Sequence, residues 1–282
     1  YIHTNIHTYI HTYIHTYITR AHMAMALTTP AYSNGWDTAA EGLVHHLRSP
    51  YQYREGEDGM TDAEFLEVLA KDMIDTIECI GADNIAGFFA EPIMGAGGVL
   101  VAPDGYHKRM REITSSFDIM YVADEVVTAW GRLGEMFASE DIYGMVPDII
   151  CTAKGITSGY QPLSATIISD EIYEVISGPD AMFSHGMTYS GHPAACAAGL
   201  ANIAILENED ILGRVKTTGK IFENALHGLD DLDVVGEVRG SHFMMGIEFV
   251  ADKTTKETFS AETNFSLQLA QSAQKRGLIA RP

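Results

Sequence analysis

Helical patterns of apolar residues recur along the chain from residue 61 onward. The first opens on Thr61-Asp62-Ala63-Glu64, a capping-box pattern, and Gly81 is suited to end the helix that follows. Further helices are predicted over 104–116, 192–208, 211–228 and 262–276.

Short apolar runs bounded by turn residues predict strands between these helices. The runs lie at 85–90, 119–123, 149–153, 164–168, 234–238 and 243–250, and residues 28–60 are expected to be loops. Strands that alternate with helices indicate βαβ units, so we expect an α/β fold with a mainly parallel sheet. Because the pattern changes near residue 210, we expect a partial large domain at 20–210 and a partial, smaller α+β C-terminal domain at 211–282.

Residues 1–19 follow a different pattern, the repeat YIHT-NIHT-YIHT-YIHT-YIT, which contains no Asp, Glu, Lys or Arg. Its Ile and Thr disfavour a helix, and a strand would place Ile with Thr on one face and Tyr with His on the other. The regular histidines could in principle bind a metal on a helix, but regular His in a low-complexity tract more often reflects composition. These histidines are His3, His7, His11 and His15.

The genetic code offers another account of the repeat. The codons TAC ATA CAT ACA encode Tyr-Ile-His-Thr and form a run of the tetranucleotide TACA, and Asn5 would need a single base change. We therefore interpret residues 1–19 as a low-complexity segment, a translated microsatellite outside the fold. The codon usage of the coding DNA tests this hypothesis.

Composition excludes several classes of protein. The chain has 282 residues, of which 46% are hydrophobic and 20% charged, as in a globular protein with a sizeable core. Its net charge of −20 disfavours nucleic acid and anionic membranes as partners. Neither a membrane-spanning run nor a signal peptide is visible, and Cys79, Cys151 and Cys196 form no CxxC pair. These features favour a cytoplasmic protein without a metal site.

Charged residues follow three of the predicted strands. Glu91 follows the first, Asp124 and Glu125 the second, and Lys154 the third. Because ligands of open α/β sheets bind beyond the carboxyl ends of the strands, these residues are candidates for a site.

The lysine and one of the acids have complementary chemistry. Lys154 follows an apolar run and should be partly desolvated, which favours the neutral amine that Schiff-base chemistry needs. An acid on a neighbouring strand suits a protonated pyridine nitrogen. Strand alternation would place Asp124 and Val126 on one face and Glu125 on the other.

Three segments carry a resemblance to a known family: YVADEVVTAWGRLGEMFASE, PDIICTAKGITSGYQPLSA and HGMTYSGHPAACAAGLANI. They resemble the class III aminotransferases, which use pyridoxal 5'-phosphate (PLP) and have the fold-type I architecture. The resemblance runs from about residue 26 to residue 282. The segment EPIMGAGG is most similar to the ω-amino acid–pyruvate and amine–pyruvate transaminases.

The resemblance implies roles for individual residues around the cofactor. Lys154 of AKG would form the Schiff base and shuttle the proton, and Asp124 of DEV would bind the pyridinium nitrogen. Val126 would pack on the ring, Glu91 of the EP motif would lie near the cofactor, and Thr188 of HGMTYSGHP would bind the cofactor phosphate of a partner subunit. A homodimer is therefore implied.

The resemblance also bears on the substrate. Arg281 of GLIARP matches the arginine that grips the substrate carboxylate in the amine–pyruvate branch. The ornithine and γ-aminobutyrate branches have a glutamate where this chain has Ala96, which argues against those substrates.

The family pattern extends beyond this sequence at both ends. A phosphate-binding Gly-Ser loop and an aromatic residue that stacks on the cofactor have no counterpart here, and strands of the small domain are missing. We therefore expect a truncated chain.

Three functions remain open at this point. The first is a PLP-dependent transaminase that moves an amino group from an amine or ω-amino acid to a keto acid such as pyruvate. The second is a non-catalytic remnant that binds no cofactor, and the third is a PLP-dependent aminomutase or racemase.

Overall fold

A computed structural model describes residues 8–11, 22–27 and 42–281 of the chain. The strands of the described residues are β1 (Thr8–His11), β2 (Val44–His46), β3 (Ile85–Ala90), β4 (Met120–Asp124), β5 (Ile149–Thr152), β6 (Ala165–Ile168), β7 (Val235–Ser241) and β8 (Met244–Phe249). The helices are α1 (His22–Leu27), α2 (Gln52–Glu55), α3 (Asp62–Ile80), α4 (Tyr106–Ser116), α5 (Ala138–Asp141), α6 (Asp170–Ile176), α7 (Pro193–Asn208), α8 (Ile211–His227) and α9 (Phe265–Gln274). Short 3-10 turns lie at Ala82–Asn84, Lys154–Thr157 and Ala261–Thr263.

The larger sheet has the strand order β2-β1-β3-β4-β5-β6. Every neighbouring pair is parallel except β5 and β6, which are antiparallel. Helices α3 and α4 contribute apolar residues to the core that covers this sheet, where Phe65 and Met110 meet Phe88 and Tyr121. The predicted α/β fold with a mainly parallel sheet is confirmed.

Helix α3 begins and ends where its sequence predicts. The Thr61 side chain accepts a hydrogen bond from the Glu64 amide, and the Glu64 carboxylate accepts one from the Thr61 amide at 2.8 Å. Gly81 follows the helix with a φ of 86°, a conformation that favours glycine. Residues 42–60, in contrast, contain β2 and α2 where loops were expected.

Part of the terminal repeat lies inside the larger sheet. Strand β1 pairs with β2 on one side and with β3 on the other, whereas the low-complexity pattern predicts that residues 1–19 lie outside the fold. The β-branched and aromatic residue types of Thr8–His11 favour strands, which is consistent with this placement. Of the repeat histidines, His3, His7 and His15 lie outside the described residues.

A smaller unit follows α7. Strands β7 and β8 form an antiparallel pair, and α8 and α9 lie before and after it in the chain. A domain boundary at 210/211 remains a prediction. Among the helices that the structure describes, none is long and apolar enough to cross a membrane.

Candidate active site

Strands β3, β4 and β5 bring three of the predicted residues to one edge of the sheet. The three strands are parallel neighbours, with Ala90 in register with Ala123 and Asp124 in register with Cys151. Glu91 comes directly after β3, Asp124 ends β4, and Lys154 follows β5 by two residues. All three therefore lie at the carboxyl edge, where α/β sheets bind ligands.

Asp124 is a buried carboxylate with few partners. Its side chain accepts a hydrogen bond at Oδ1 from the Val126 amide at 3.1 Å, and no other described residue donates a hydrogen bond to it. Burial raises the pKa of Asp124 from 3.8 to about 6, while the Val126 amide and the positive charge of Lys154 act in the opposite direction. A buried carboxylate of this kind would gain from a cationic hydrogen-bond donor.

The environment of Lys154 differs from the predicted one. The sequence predicts a partly desolvated amine, but the side chain is exposed, so this expectation is wrong in this structure. The reason is that β5 ends at Thr152, and the chain then enters the 3-10 turn at Lys154. The lysine lies beyond the packed part of the strand, with a backbone φ of 40°.

Glu125 comes directly after the end of β4, and its carboxylate binds the segment that follows the strand. Its carboxylate accepts hydrogen bonds from Thr128 Oγ1 at 2.6 Å, from the Ala138 amide at 3.1 Å, and from the Ser139 amide and hydroxyl at 2.7 and 2.6 Å. The side chain is fully buried. Glu125 therefore ties the segment after β4 to the start of α5.

Val126 does not share a strand face with Asp124, because β4 ends at Asp124 and the following residues form turns. Val126 is instead buried next to the strand end, where its amide binds the Asp124 carboxylate. The predicted shared strand face is therefore wrong, and the two residues are linked through the Val126 amide.

Glu91 organises the glycine-rich loop after β3. It is buried, and its Oε2 accepts a hydrogen bond from the Gly95 amide at 2.9 Å. The far end of this loop is held by Arg239, whose guanidinium donates to Gly98 O at 2.6 Å and to Val99 O at 3.2 Å. Val99 has a φ of 56°, which is strained for a β-branched residue, so these contacts fix the loop.

Thr188 and Arg281 come later in the chain than the strand-end residues, and both are exposed. Thr188 is exposed in a turn before α7, and Arg281 is exposed after α9.

Cys151 is half-buried in β5. Burial raises the pKa of its thiol to about 11, and the charge of Asp124 acts in the same direction. A thiol with this pKa is a poor nucleophile near neutral pH.

Two contacts to the Lys154 turn have no signal in the sequence. On one side, Trp130 Nε1 donates to Thr152 Oγ1 at 2.6 Å, and a Cβ on Gly155 would come within 2.8 Å of Trp130 Cβ. On the other side, Asn202 of α7 binds the turn through its side-chain amide. Both residues lie in segments that carry the family resemblance, but no local pattern predicts these contacts, since each residue acts on a segment 22 or more positions away.

The chain matches a known protein family. The family model for aminotransferase class-III matches residues 3–282, which extends further toward the start of the chain than the resemblance from residue 26.

Three similar proteins illustrate the likeness. Putrescine–pyruvate aminotransferase from Pseudomonas aeruginosa is 42% identical over 246 residues, covering 87% of this chain and 53% of that protein. The mitochondrial gamma aminobutyrate transaminase 1 of Solanum lycopersicum is 37% identical over 255 residues, covering 89% and 49% respectively. A solved thermostable (S)-enantioselective ω-transaminase from Thermomicrobium roseum superposes with a TM-score of 0.91 at 40% identity, covering 97% of this chain and 60% of that one.

The chain thus spans about half the length of the curated relatives it matches. Class III aminotransferases use PLP and have the fold-type I architecture, which agrees with the α/β sheet and its carboxyl-edge residues. With a family match over nearly all of its residues and a matching fold, the chain belongs to the class III aminotransferases.

Proposed function

We propose that this chain carries part of a PLP-dependent transaminase, which transfers an amino group from an amine or ω-amino acid to a keto acid such as pyruvate. The observation that supports this most directly is that Asp124, a buried carboxylate with one hydrogen bond from the described residues, and Lys154 lie at the same sheet edge. Family membership supports the reaction class.

The residues present fit the cofactor at one specific point. Asp124 is buried and accepts one hydrogen bond from the described residues, so its carboxylate can accept another. A pyridinium N–H is the kind of charged donor that such a group favours. When bound, PLP supplies an electron sink for the negative charge that develops on the substrate carbon.

Asp124 would do two things in this reaction. Its negative charge would keep the ring nitrogen protonated, and its fixed position would orient the ring relative to Lys154. The positive charge of Lys154 already acts on Asp124, so the two residues are close enough to interact electrostatically.

Lys154 would hold the cofactor covalently through Nζ and, once released, move a proton at the substrate Cα. Its exposure leaves Nζ accessible to both the cofactor and the substrate. A primary amine can act in both roles because it is a nucleophile and a base in its neutral form.

Val126 and Glu91 would shape the cofactor pocket. The buried Val126 would contact the ring, and Glu91 would fix the loop at Gly95 that borders it. Arg281 would bind the carboxylate of the keto acid or amino acid through its planar guanidinium.

Thr188 would complete the site of a partner subunit in a homodimer. The segment around it exposes large apolar side chains, with Phe183 61%, Met187 70% and Tyr189 81% exposed. A cluster of exposed apolar residues is typical of an interface, and this observation supports the dimer.

The relatives point to a class of amino donor. One is a putrescine–pyruvate aminotransferase and another a γ-aminobutyrate transaminase, so diamines and ω-amino acids are the donors to test first. Ala96 stands where the ornithine and γ-aminobutyrate branches have a glutamate, which favours the diamine and simple amines over those two substrates.

The test combines a spectrum with chemical trapping. The purified chain is mixed with PLP, its visible absorbance is recorded, and borohydride reduction followed by peptide mapping locates the label. We expect a new visible band and label on the Lys154 peptide. The K154A variant should lose both, whereas K108A, which removes another exposed lysine, should retain them.

The opposite result identifies the alternative. Label scattered over several lysines, or no band in the wild-type chain, would favour a non-catalytic remnant. A chain that is labelled at Lys154 and then interconverts amino acids without a keto acid would favour the aminomutase.

A further inference from the structure

The turn that carries Lys154 is held in an unfavourable backbone conformation. Lys154 has a φ of 40° and Ser158 a φ of 50°, so two non-glycine residues in the left-handed region flank Gly155, Ile156 and Thr157. Such conformations persist only where the surrounding structure holds them. The contacts to this turn therefore decide whether its shape survives.

Trp130 restrains one side of the turn. Its indole N–H is bonded to Thr152 at the end of β5, and its side chain lies so close to Gly155 that a Cβ there would approach Trp130 Cβ to 2.8 Å. This contact blocks movement of the turn toward Trp130, but it supplies no hydrogen bond to the turn itself.

Asn202 restrains the other side with hydrogen bonds to both ends of the turn. Its Nδ2 donates to Gly155 O at 2.8 Å and to Ile156 O at 3.3 Å. Its Oδ1 accepts a hydrogen bond from Ser158 Oγ at 2.7 Å. One side-chain amide thus spans the segment from Gly155 to Ser158, and each of its two polar atoms has a partner there.

The surroundings of Asn202 show a close fit between helix and turn. Asn202 lies inside α7, although asparagine has a low helix propensity. Its contribution to the stability of this region therefore comes from these hydrogen bonds. Gly199 lies on the preceding helical turn, and a Cβ there would come within 3.0 Å of Leu163 Cδ2. The missing side chain lets α7 approach closely enough for Asn202 to reach the turn.

We propose that Asn202 is a positioning residue, which fixes the backbone at 155–158 and thereby sets the direction in which the Lys154 amine leaves the sheet edge. Asn202 does not touch the reacting atoms, and it acts through Lys154. The role of that amine rests on the proposed function, whereas the restraint on the turn does not.

The restraint is tested first in the chain without cofactor, by amide hydrogen exchange. The N202A variant removes all three bonds, N202D keeps the size and Oδ1 but replaces the donor with oxygen, and S158A removes one bond. N208A makes the same change as N202A at the exposed end of the same helix.

We expect the Ile156 and Ser158 amides to exchange about tenfold faster in N202A and N202D than in wild type, which corresponds to about 1.4 kcal/mol. S158A should show a smaller increase, and N208A none. Equal exchange in wild type, N202A and N202D would overturn the proposal. If N202A does not fold, S158A still decides, because it leaves α7 intact and must accelerate exchange in the same turn.

The second readout is the trapping reaction with PLP and borohydride. N202D should lower the labelling of Lys154 several-fold relative to wild type, whereas N208A should leave it unchanged. Faster exchange with unaltered Lys154 labelling would overturn the positioning role. Absence of Lys154 labelling in wild type would instead refute the proposed function, and the exchange result would still decide whether Asn202 holds the turn.

Discussion

The carboxylates of Asp124 and Glu125 are neighbours in the chain but lie in opposite environments. Glu125 accepts four hydrogen bonds from the segment 128–139, whereas Asp124 accepts one from the described residues. Because β4 ends between them, one carboxylate stabilises the fold and the other remains available at the sheet edge.

Replacing Asp124 with Asn should stabilise the chain without cofactor at neutral pH. The folded-state pKa is raised from 3.8 to about 6, so the protonated form favours folding, and this contribution is present below about pH 4 and lost as pH rises through 6. D124N removes the buried charge and should raise the free energy of unfolding by about 1–3 kcal/mol near pH 7.5.

Urea denaturation of D124N and wild type near pH 7.5 and near pH 4 measures this effect. The difference should vanish near pH 4, where Asp124 is protonated. The same variant should lose the visible band with PLP. A D124N chain that is less stable than wild type near pH 7.5 would contradict the prediction.

Replacing Glu125 with Gln should destabilise the chain. An amide cannot accept from all four donors, and a buried donor without a partner is costly, so we expect a loss of about 2–4 kcal/mol in the free energy of unfolding. The exposed Glu174 provides the matched control E174Q. The urea midpoints should separate the two variants, and an E125Q chain as stable as E174Q would refute the structural role of Glu125.

His107 gives the stability of the chain a pH dependence opposite to that of Asp124. Because Pro92 O can only accept, His107 Nε2 donates to it at 2.9 Å, and Nδ1 accepts from the Tyr121 hydroxyl at 2.9 Å. Burial lowers the pKa of His107 from 6.5 to about 4, so the stability it contributes is present above about pH 6.5 and lost as pH falls through 4.

The cost of H107Q should therefore shrink as pH falls. The change from near pH 7.5 to near pH 4 should be up to about 3 kcal/mol, measured by urea denaturation. H185Q, at an exposed histidine, is the control. A cost of H107Q that is constant over this range would show that His107 titrates as it does in the unfolded chain.

Replacing Arg239 with Lys should destabilise the chain. Its guanidinium binds Gly98 O, Val99 O and the Tyr51 hydroxyl, and it pairs with Glu237 and Glu248. An ammonium cannot reproduce this fork, so R239K should lose about 2–4 kcal/mol of unfolding free energy. R132K, at an exposed arginine, should change it little, and equal urea midpoints for the two variants would contradict this account.

The sequence predicted the elements that local patterns determine. The capping box at Thr61 and Glu64 and the strands before Glu91, Asp124 and Lys154 are all present, because periodicity and turn residues report directly on local structure. The antiparallel direction of β6 was not predicted, since strand direction depends on the connection and not on the strand itself.

The site was less predictable than the strands that carry it. The exposure of Lys154 follows from where β5 ends and from the left-handed turn, neither of which an apolar run specifies. Asn202 lies 47 positions from Gly155, and Arg239 lies 141 positions from Gly98. Contacts over such separations arise from the packing of whole elements, and a single sequence carries no local signal for them.

Strand β1 has a consequence for the order of assembly during synthesis. It is synthesised well before its partner β3, which starts at Ile85, and among the described strands β2 joins the larger sheet through β1. Pairing over this separation requires closure of a long loop before it gains any hydrogen bonds, which slows folding. Until β3 is made, the nascent chain must keep the backbone of Thr8–His11 away from other strand edges, a task suited to a chaperone.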